Sequence, residues 1–308
     1  MTGAGPATEG TGGAPGGVRA FHDLPAPAKL NLFLHVIGRR ADGYHLLQSA
    51  FVLIDWCDRL HVERRDDGLL RRHDLGAVLP ADDLCLRAAR ALQQASGTAL
   101  GADISIDKRL PWGAGLGGGS SDAATTLLGL NRLWNLHWPR ERLLALGATL
   151  GADVPFFVGG RNAFVEGIGE RLTPIDLPPQ AFAVVKPPAA LATAAIFASP
   201  ALKRDTPAAI LSGSLAGTAE AASFDAGFGR NDLQPVAEAA CPDVSAALQW
   251  LQARFGNSRM TGSGSAVFAR VGMDEATRAT GFADDLPAGW VGRLCRSLDR
   301  HPLWGWAG

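Results

Sequence analysis

The stretch PWGAGLGGGSSDAATTLLGL, Pro111 to Leu130, constrains this chain more than any other. Gly113, Gly115, Gly117, Gly118 and Gly119 leave a backbone almost bare of side chains, and Ser120 and Ser121 follow. Ala123, Ala124, Leu127, Leu128 and Trp134 then recur at three- and four-residue steps. This spacing predicts an amphipathic helix with Ser120 as its N-cap. Glycines let consecutive N–H groups converge on an anion, and a helix N-terminus adds partial positive charge. The stretch is therefore a candidate phosphate cradle. It is not the Walker pattern, because no lysine follows the glycines. Gly113, Gly115 and Gly118 also satisfy G-x-G-x-x-G, and a glycine turn before a helix is the plain alternative.

Any anion site must be local. The chain of 308 residues carries 29 basic and 30 acidic side chains, a formal net charge of -1. Such a balance supplies no global field for nucleic acid or a membrane surface. At 47% hydrophobic and 19% charged, the chain can build two packed domains. It contains no uninterrupted apolar run of about 18 residues. Cys57, Cys85, Cys241 and Cys295 show no C-x-x-C spacing, and the histidines form no zinc motif. Reduced thiols in a cytoplasmic protein are the simplest reading. Met1 to Val18 lacks an apolar signal region and reads as a dispensable, disordered tail.

Along the chain, Leu30, Leu32, Leu34 and Val36 alternate with Lys29, Asn31, Phe33 and His35, predicting a strand. Lys29 and Asn31 suit either an exposed strand edge or a site. Asp42-Gly43 marks a turn before Tyr44 and His45, followed by two strands, Leu46 to Ile54 and Asp58 to Arg64. Tyr44, the single tyrosine, either caps the turn or stacks on a flat ligand. Asp82 to Ala95 predicts a helix, Ala102 to Leu110 a strand, and Arg140 to Leu150 a helix. Asp153 lies among Ala152, Val154, Pro155, Phe156 and Phe157. It is either a helix-end cap or a carboxylate partly stripped of water. Thr173 to Gln180 reads as a linker, and the strand Ala181 to Val185 opens a second domain. Beyond it come a short helix, Thr193 to Ala198, carrying Phe197, and a small-residue insertion, Leu211 to Gly227. Helix Pro242 to Phe255 leads to a second glycine turn at Gly262 to Ser265. A helix from Asp274 to Asp285 and a strand from Trp290 to Cys295 follow, and Trp304 and Trp306 dock on the body.

The segments PAKLNLFL, ADGYH, LPWGAGLGGGSSDAA with LGADVPFF, and MTGSGSAVFA occur in this order. Together they resemble the GHMP small-molecule kinases. Within that superfamily they resemble the members that act on a cytidyl diphosphate alcohol of the non-mevalonate isoprenoid route. The resemblance runs from about Pro25 to about Leu303. It implies an α+β fold of two domains: a tail (1–20), an ATP-binding domain like the second domain of ribosomal protein S5 (21–176), and a ferredoxin-like domain (177–308). It further implies ATP and Mg²⁺ as reactants. Asp153 would be the catalytic base and Lys29 its catalytic partner, with Asn31 orienting the substrate. Lys108, Pro111, Gly113, Ala114, Gly115, Leu116, Gly117, Gly118, Gly119, Ser120 and Ser121 would hold ATP. Tyr44 and Phe197 would sandwich the pyrimidine, His45 would bond its edge, and Thr193 would contact the substrate. Asp122 departs from an ideal phosphate site and is expected to point away. Metal ligands and oligomeric state are left open. The alternatives are another kinase of the superfamily (for mevalonate, homoserine or a sugar), a non-enzymatic nucleotide binder on the same fold, and a dinucleotide-binding protein.

Overall fold

The computed structural model describes residues 18–76, 78–209, 228–274 and 281–307. The tail up to residue 17, the expected insertion at 211–227 and most of the helix expected from Asp274 lie outside these residues. Gly281 to Asp285, the described end of that helix, is turn. Strand β1, Ala20–Arg39, pairs antiparallel with β2, His45–Arg65. The two runs expected after Tyr44 are thus a single strand. The β1–β2 register slips at four places, one of them between Pro27 and Ala28, where proline cannot donate to the ladder. β2 serves several neighbours. Its end pairs with β4, Gly101–Asp107, beside the parallel β3, Leu70–Asp74. Its start pairs with β5, Ala163–Glu166, which pairs in turn with β6, Arg171–Pro174. The expected linker at Thr173 therefore begins inside a strand.

The far edge of β1 is not open. Lys29 N–H donates to Leu116 O (3.0 Å) and Leu34 N–H to Arg230 O (2.9 Å). The Asn31 N–H donates to Thr261 Oγ1 (2.9 Å). The glycine stretch, the second glycine turn and Arg230 cover this edge, so Lys29 and Asn31 are buried. The exposed-edge alternative is thereby excluded.

Helix α1, Leu84–Ser96, starts at an Asp83 cap whose carboxylate accepts from Leu86 N–H (3.0 Å). Helix α2, Gly118–Leu133, is the middle of the helical layer. Every residue from Ser121 to Asn131 is buried, so α2 is not amphipathic: β1 and β2 lie on one side and neighbouring helices on the others. A Cβ at Gly129 would lie 2.9 Å from Leu24 Cδ1, so glycine is what brings helix and strand this close. The N-cap of α2 is Gly117, in the left-handed region at φ 72°, with no side-chain cap bond. Ser120 is thus inside the first turn and is not the cap. Helices α3, Arg140–Ala148, and α4, Val154–Gly159, complete the layer.

The second half centres on β7, Ala181–Lys186, between β9, Val267–Val271, and β10, Val291–Leu298; β8, Arg259–Met260, pairs with β9. Helices α5, Thr193–Ala198, α6, Gln234–Ala240, and α7, Pro242–Phe255, accompany these strands. β10 also reaches β2 through Ser297–Ile54 and Leu298–Leu53. One buried cluster joins both halves: Leu30, Leu32 and Leu116 pack with Phe182, Val184 and Phe268. The chain then returns to the first half. Arg140 donates to Ala307 O (2.8 Å), and the Trp306 ring lies 4.7 Å from that of Phe21.

A buried charge cluster ties the glycine stretch to the sheet. The Lys108 ammonium donates to Asp58 and, at 2.7 Å, to Asp122 in the first turn of α2. Asp58 also accepts the N–H groups of Arg109 (2.6 Å) and Leu110 (2.7 Å). Asp122 has no such further donors: its Oδ1 is buried without a partner among the described residues. One ammonium is shared by two carboxylates, and Asp58 is the better served. Burial, helped by the Asp58 charge and opposed by Lys108, pushes Asp122 up to about 8. Burial draws Lys108 down, but Asp122 and Asp58 outweigh it and hold its pKa above the ordinary value. The ammonium expected at the nucleotide is thus committed to this cluster.

Lys108→Met leaves the buried Asp58 charge and the Asp122 carboxyl without their cation and should cost about 3–5 kcal/mol in urea denaturation. Asp122→Asn keeps an acceptor for Lys108 and removes the surplus charge. The raised carboxyl favours folding at low pH, and that benefit is lost as pH rises from the ordinary 3.8 through about 8. Asp122→Asn should therefore flatten this loss without lowering the midpoint at neutral pH. A midpoint that fell as far as in Lys108→Met would show that Asp122 is a needed charge.

Candidate active site

The glycine stretch separates two cavities. One, of about 760 Å³, is lined by Lys29, Asn31, Tyr44, His45, Asp153, Thr193 and Phe197, among others. The other, of about 390 Å³, is lined by Lys108, Pro111 and the run from Gly113 to Ser120. Gly115 and Gly117 face both. Of the eleven residues expected around ATP, ten line the smaller cavity. The exception is Ser121, whose hydroxyl is fully buried without a partner among the described residues. Position 121 is one residue further round the helix and faces the core, so its hydroxyl is not a phosphate donor. Asp122 lines the cavity wall but turns its carboxylate to Lys108. The first N–H groups of α2 have no intrahelical acceptors and mark the anion-favouring end of a 16-residue helix.

The loop is held from behind by the second glycine turn. Ser265 N–H donates to Gly113 O and Ala266 N–H to Ala114 O, both at 3.2 Å. A Cβ at Gly115 would stand 2.4 Å from Thr261 O, so only glycine allows the two turns to touch. At Gly117 a Cβ would meet Phe157 Cζ at 2.9 Å and Lys29 Cγ at 3.2 Å.

In the larger cavity, beside the Gly117 that lines both, Lys29 Nζ lies 3.8 Å from Asp153 Oδ2, with side-chain exposures of 4% and 32% respectively. The ammonium also donates to Asn31 Oδ1 (2.5 Å) and sits 4.7 Å above the Phe51 ring. Asn31 in turn donates to Ser49 Oγ (2.9 Å), which donates to Phe33 O (2.5 Å). Burial draws the Lys29 pKa below its ordinary value, and Asp153 partly restores it. Asp153 occupies the cap position of α4, yet its side chain makes no cap bond. The carboxylate is therefore left facing the cavity, and the helix-cap alternative is excluded. A fixed cation beside an accessible carboxylate is an arrangement that can take a proton from a bound hydroxyl.

The other end of the larger cavity is aromatic. The turn at Gly43, φ 92°, is closed by Arg40 N–H donating to Tyr44 O (2.7 Å), which leaves Tyr44 61% exposed at the rim. Phe197 faces His45, ring centroids 5.1 Å apart and planes 33° from parallel. Burial, with Arg204 and Arg39 nearby, lowers the His45 pKa and keeps the ring neutral. Thr193 Oγ1 and Ser263 Oγ are 2.7 Å apart, joining α5 to the second glycine turn. Asp58, Thr261 and Arg204 also hold parts of the site together, and no sequence expectation assigns them a role. Thr261 stands in the MTGSG run, a signal that was available; Asp58 and Arg204 belong to no motif.

The chain matches the profile for the GHMP kinases N terminal domain at residues 83–161 and that for the GHMP kinases C terminal at 207–290. It is 65% identical over 292 residues to a 4-diphosphocytidyl-2-C-methyl-D-erythritol kinase of Methylibium petroleiphilum, covering 94% of this chain and 99% of that protein. A Variovorax paradoxus protein of the same name is 57% identical, with 94% and 100% covered. A crystal structure of 4-(cytidine 5'-diphospho)-2C-methyl-D-erythritol kinase superposes with a TM-score of 0.76 at 36% identity, over 89% of this chain and 98% of that one. A homoserine kinase from Cytophaga hutchinsonii, 16% identical with a TM-score of 0.65 over 94% and 98% of the two chains, shares the fold. The chain belongs to the 4-diphosphocytidyl-2-C-methyl-D-erythritol kinase family of the GHMP kinases.

Proposed function

We propose that this chain phosphorylates the 2-hydroxyl of 4-diphosphocytidyl-2-C-methyl-D-erythritol with ATP, giving the 2-phosphate and ADP for isoprenoid precursor synthesis. The observation that carries this reading is the Lys29–Asp153 pair in the larger cavity, beside the Gly117 that also lines the smaller one. The alcohol reaches it from the larger cavity and the triphosphate from the smaller. The hydroxyl oxygen bonds to the γ-phosphorus as the bond to the β–γ bridging oxygen breaks, and ADP leaves with that electron pair. Asp153 accepts the hydroxyl proton. Lys29 holds the carboxylate in place and offsets charge on the transferring group, and Asn31 fixes Lys29. The N–H groups of Gly113 to Ser120 would meet the phosphates. Tyr44 would cover the pyrimidine at the rim, with His45, Phe197 and Thr193 around the cytidyl end.

Mg²⁺ is the ion that a triphosphate brings to such a reaction, where it neutralises phosphate charge. Among the described residues no group of three His, Cys, Asp or Glu side chains could hold a metal. Two domains meeting near residue 176 accord with the family profiles, which fall on either side of that point. Four free cysteines accord with a reducing, cytoplasmic setting.

Asp153→Asn keeps the shape of the side chain and removes the base. Its kcat should fall by about 10²- to 10⁴-fold while calorimetric ATP affinity stays unchanged. A wild-type rate would refute the assignment of the base. Tyr44→Ala should raise the substrate KM by an amount equivalent to about 1–3 kcal/mol with kcat preserved, as expected for lost base stacking. An unchanged KM would remove Tyr44 from the binding site.

A further inference from the structure

Arg204 belongs to no motif and lines neither cavity, yet it ties together the two sides of the cytidyl end. Its Nε donates to His45 Nε2 at 2.9 Å. Its Nη2 donates to Phe197 O (3.0 Å) and Ser199 O (2.7 Å), and its Nη1 to Leu202 O (2.9 Å). His45 opens β2 in the first half of the chain, whereas Phe197 lies in α5 of the second half. The carbonyls of Phe197 and Ser199 are at the end of α5, where main-chain acceptors lack intrahelical donors. One planar fork satisfies them and the imidazole together, a task suited to a guanidinium and not to an ammonium.

The bond to His45 has a chemical consequence. A guanidinium only donates, so Nε2 must be the acceptor. The ring proton then resides on Nδ1, and the ring carries no charge. His45 is thereby restricted to one tautomer whose free N–H is a donor, suited to an unprotonated nitrogen or a carbonyl oxygen on a base edge. The same guanidinium holds Phe197 against the His45 ring, at a centroid distance of 5.1 Å.

We infer that Arg204 is a positioning residue for substrate recognition: it fixes the tautomer of His45 and the placement of Phe197, and so presets the base-reading end of the cavity. This inference rests on the proposed cytidyl substrate for its kinetic consequence but not for its structural one.

Two readouts test it. In ligand-free wild-type protein at neutral pH, nitrogen NMR of the imidazole ring should show His45 protonated at Nδ1 and bare at Nε2. In Arg204→Met, which keeps an unbranched stem and loses every donor, that preference should vanish. Kinetically, Arg204→Met should raise KM for the cytidyl substrate by about tenfold or more. Its kcat and its KM for ATP should stay within about twofold of wild type, since both reacting ends lie elsewhere. Arg204→Lys keeps the charge but not the fork, and should not restore KM. A wild-type His45 that is charged or protonated at Nε2 would overturn the inference, even if the variants fail to fold. So would an unchanged substrate KM in Arg204→Met, full recovery in Arg204→Lys, or a parallel loss in ATP KM and kcat. If the wild-type enzyme fails to turn over the cytidyl substrate, the proposed function falls, while the tautomer measurement still decides the role of Arg204.

Discussion

A buried ammonium 3.8 Å from a partly open carboxylate is the interaction on which the rest of this structure depends. Lys29 is enclosed by the glycine loop, the Phe51 ring and the edge of β1, so its charge has little water to answer it. Asp153 and Asn31 supply the answer. Removing Asp153 would leave a largely buried cation without its counter-charge, which costs more than losing a surface ion pair. The proposed base thus stands in a place that the fold itself requires to be charged.

Most of the surrounding architecture keeps that place narrow. Gly117 lets Phe157 and the Lys29 stem approach the loop, and Gly115 lets the second glycine turn press against it. The Lys108 cluster fixes the strand end that precedes the loop and the first turn of the helix that follows it. These contacts come from both halves of the chain, and one apolar cluster runs between the halves. The cavities are therefore shaped by long-range packing and not by the loop alone, which accounts for the sharp geometry of a segment so rich in glycine.

What could be read from the residues divides along the same line. The glycine loop, the strand of Lys29 and Asn31, and the helices at Leu84, Arg140, Thr193 and Pro242 were legible because they depend on local pattern. Burial on both sides of α2 was not, since a three- and four-residue apolar spacing looks alike whether one face or all faces are covered. Ser120 looked like a cap because serine caps well, but Gly117 already holds the left-handed turn one residue before the helix begins. The family resemblance implies Ser121 at phosphate; the rotation of α2 aims it into the core. The motifs that carry Asp153, Tyr44 and His45 are far apart in the chain, and the fold brings these side chains to one cavity. Asp58 and Arg204 act through partners about 50 and 159 residues away, and no short pattern records such pairs.

The most direct measurement is a crystal structure with 4-diphosphocytidyl-2-C-methyl-D-erythritol and a non-hydrolysable ATP analogue bound together. The 2-hydroxyl should lie within hydrogen-bond reach of Asp153, about 2.6–3.2 Å, with the γ-phosphorus in line beyond it and the triphosphate along Gly113 to Ser120. The cytosine should lie beside Tyr44, His45 and Phe197. A hydroxyl remote from Asp153, or a triphosphate seated in the larger cavity, would contradict it.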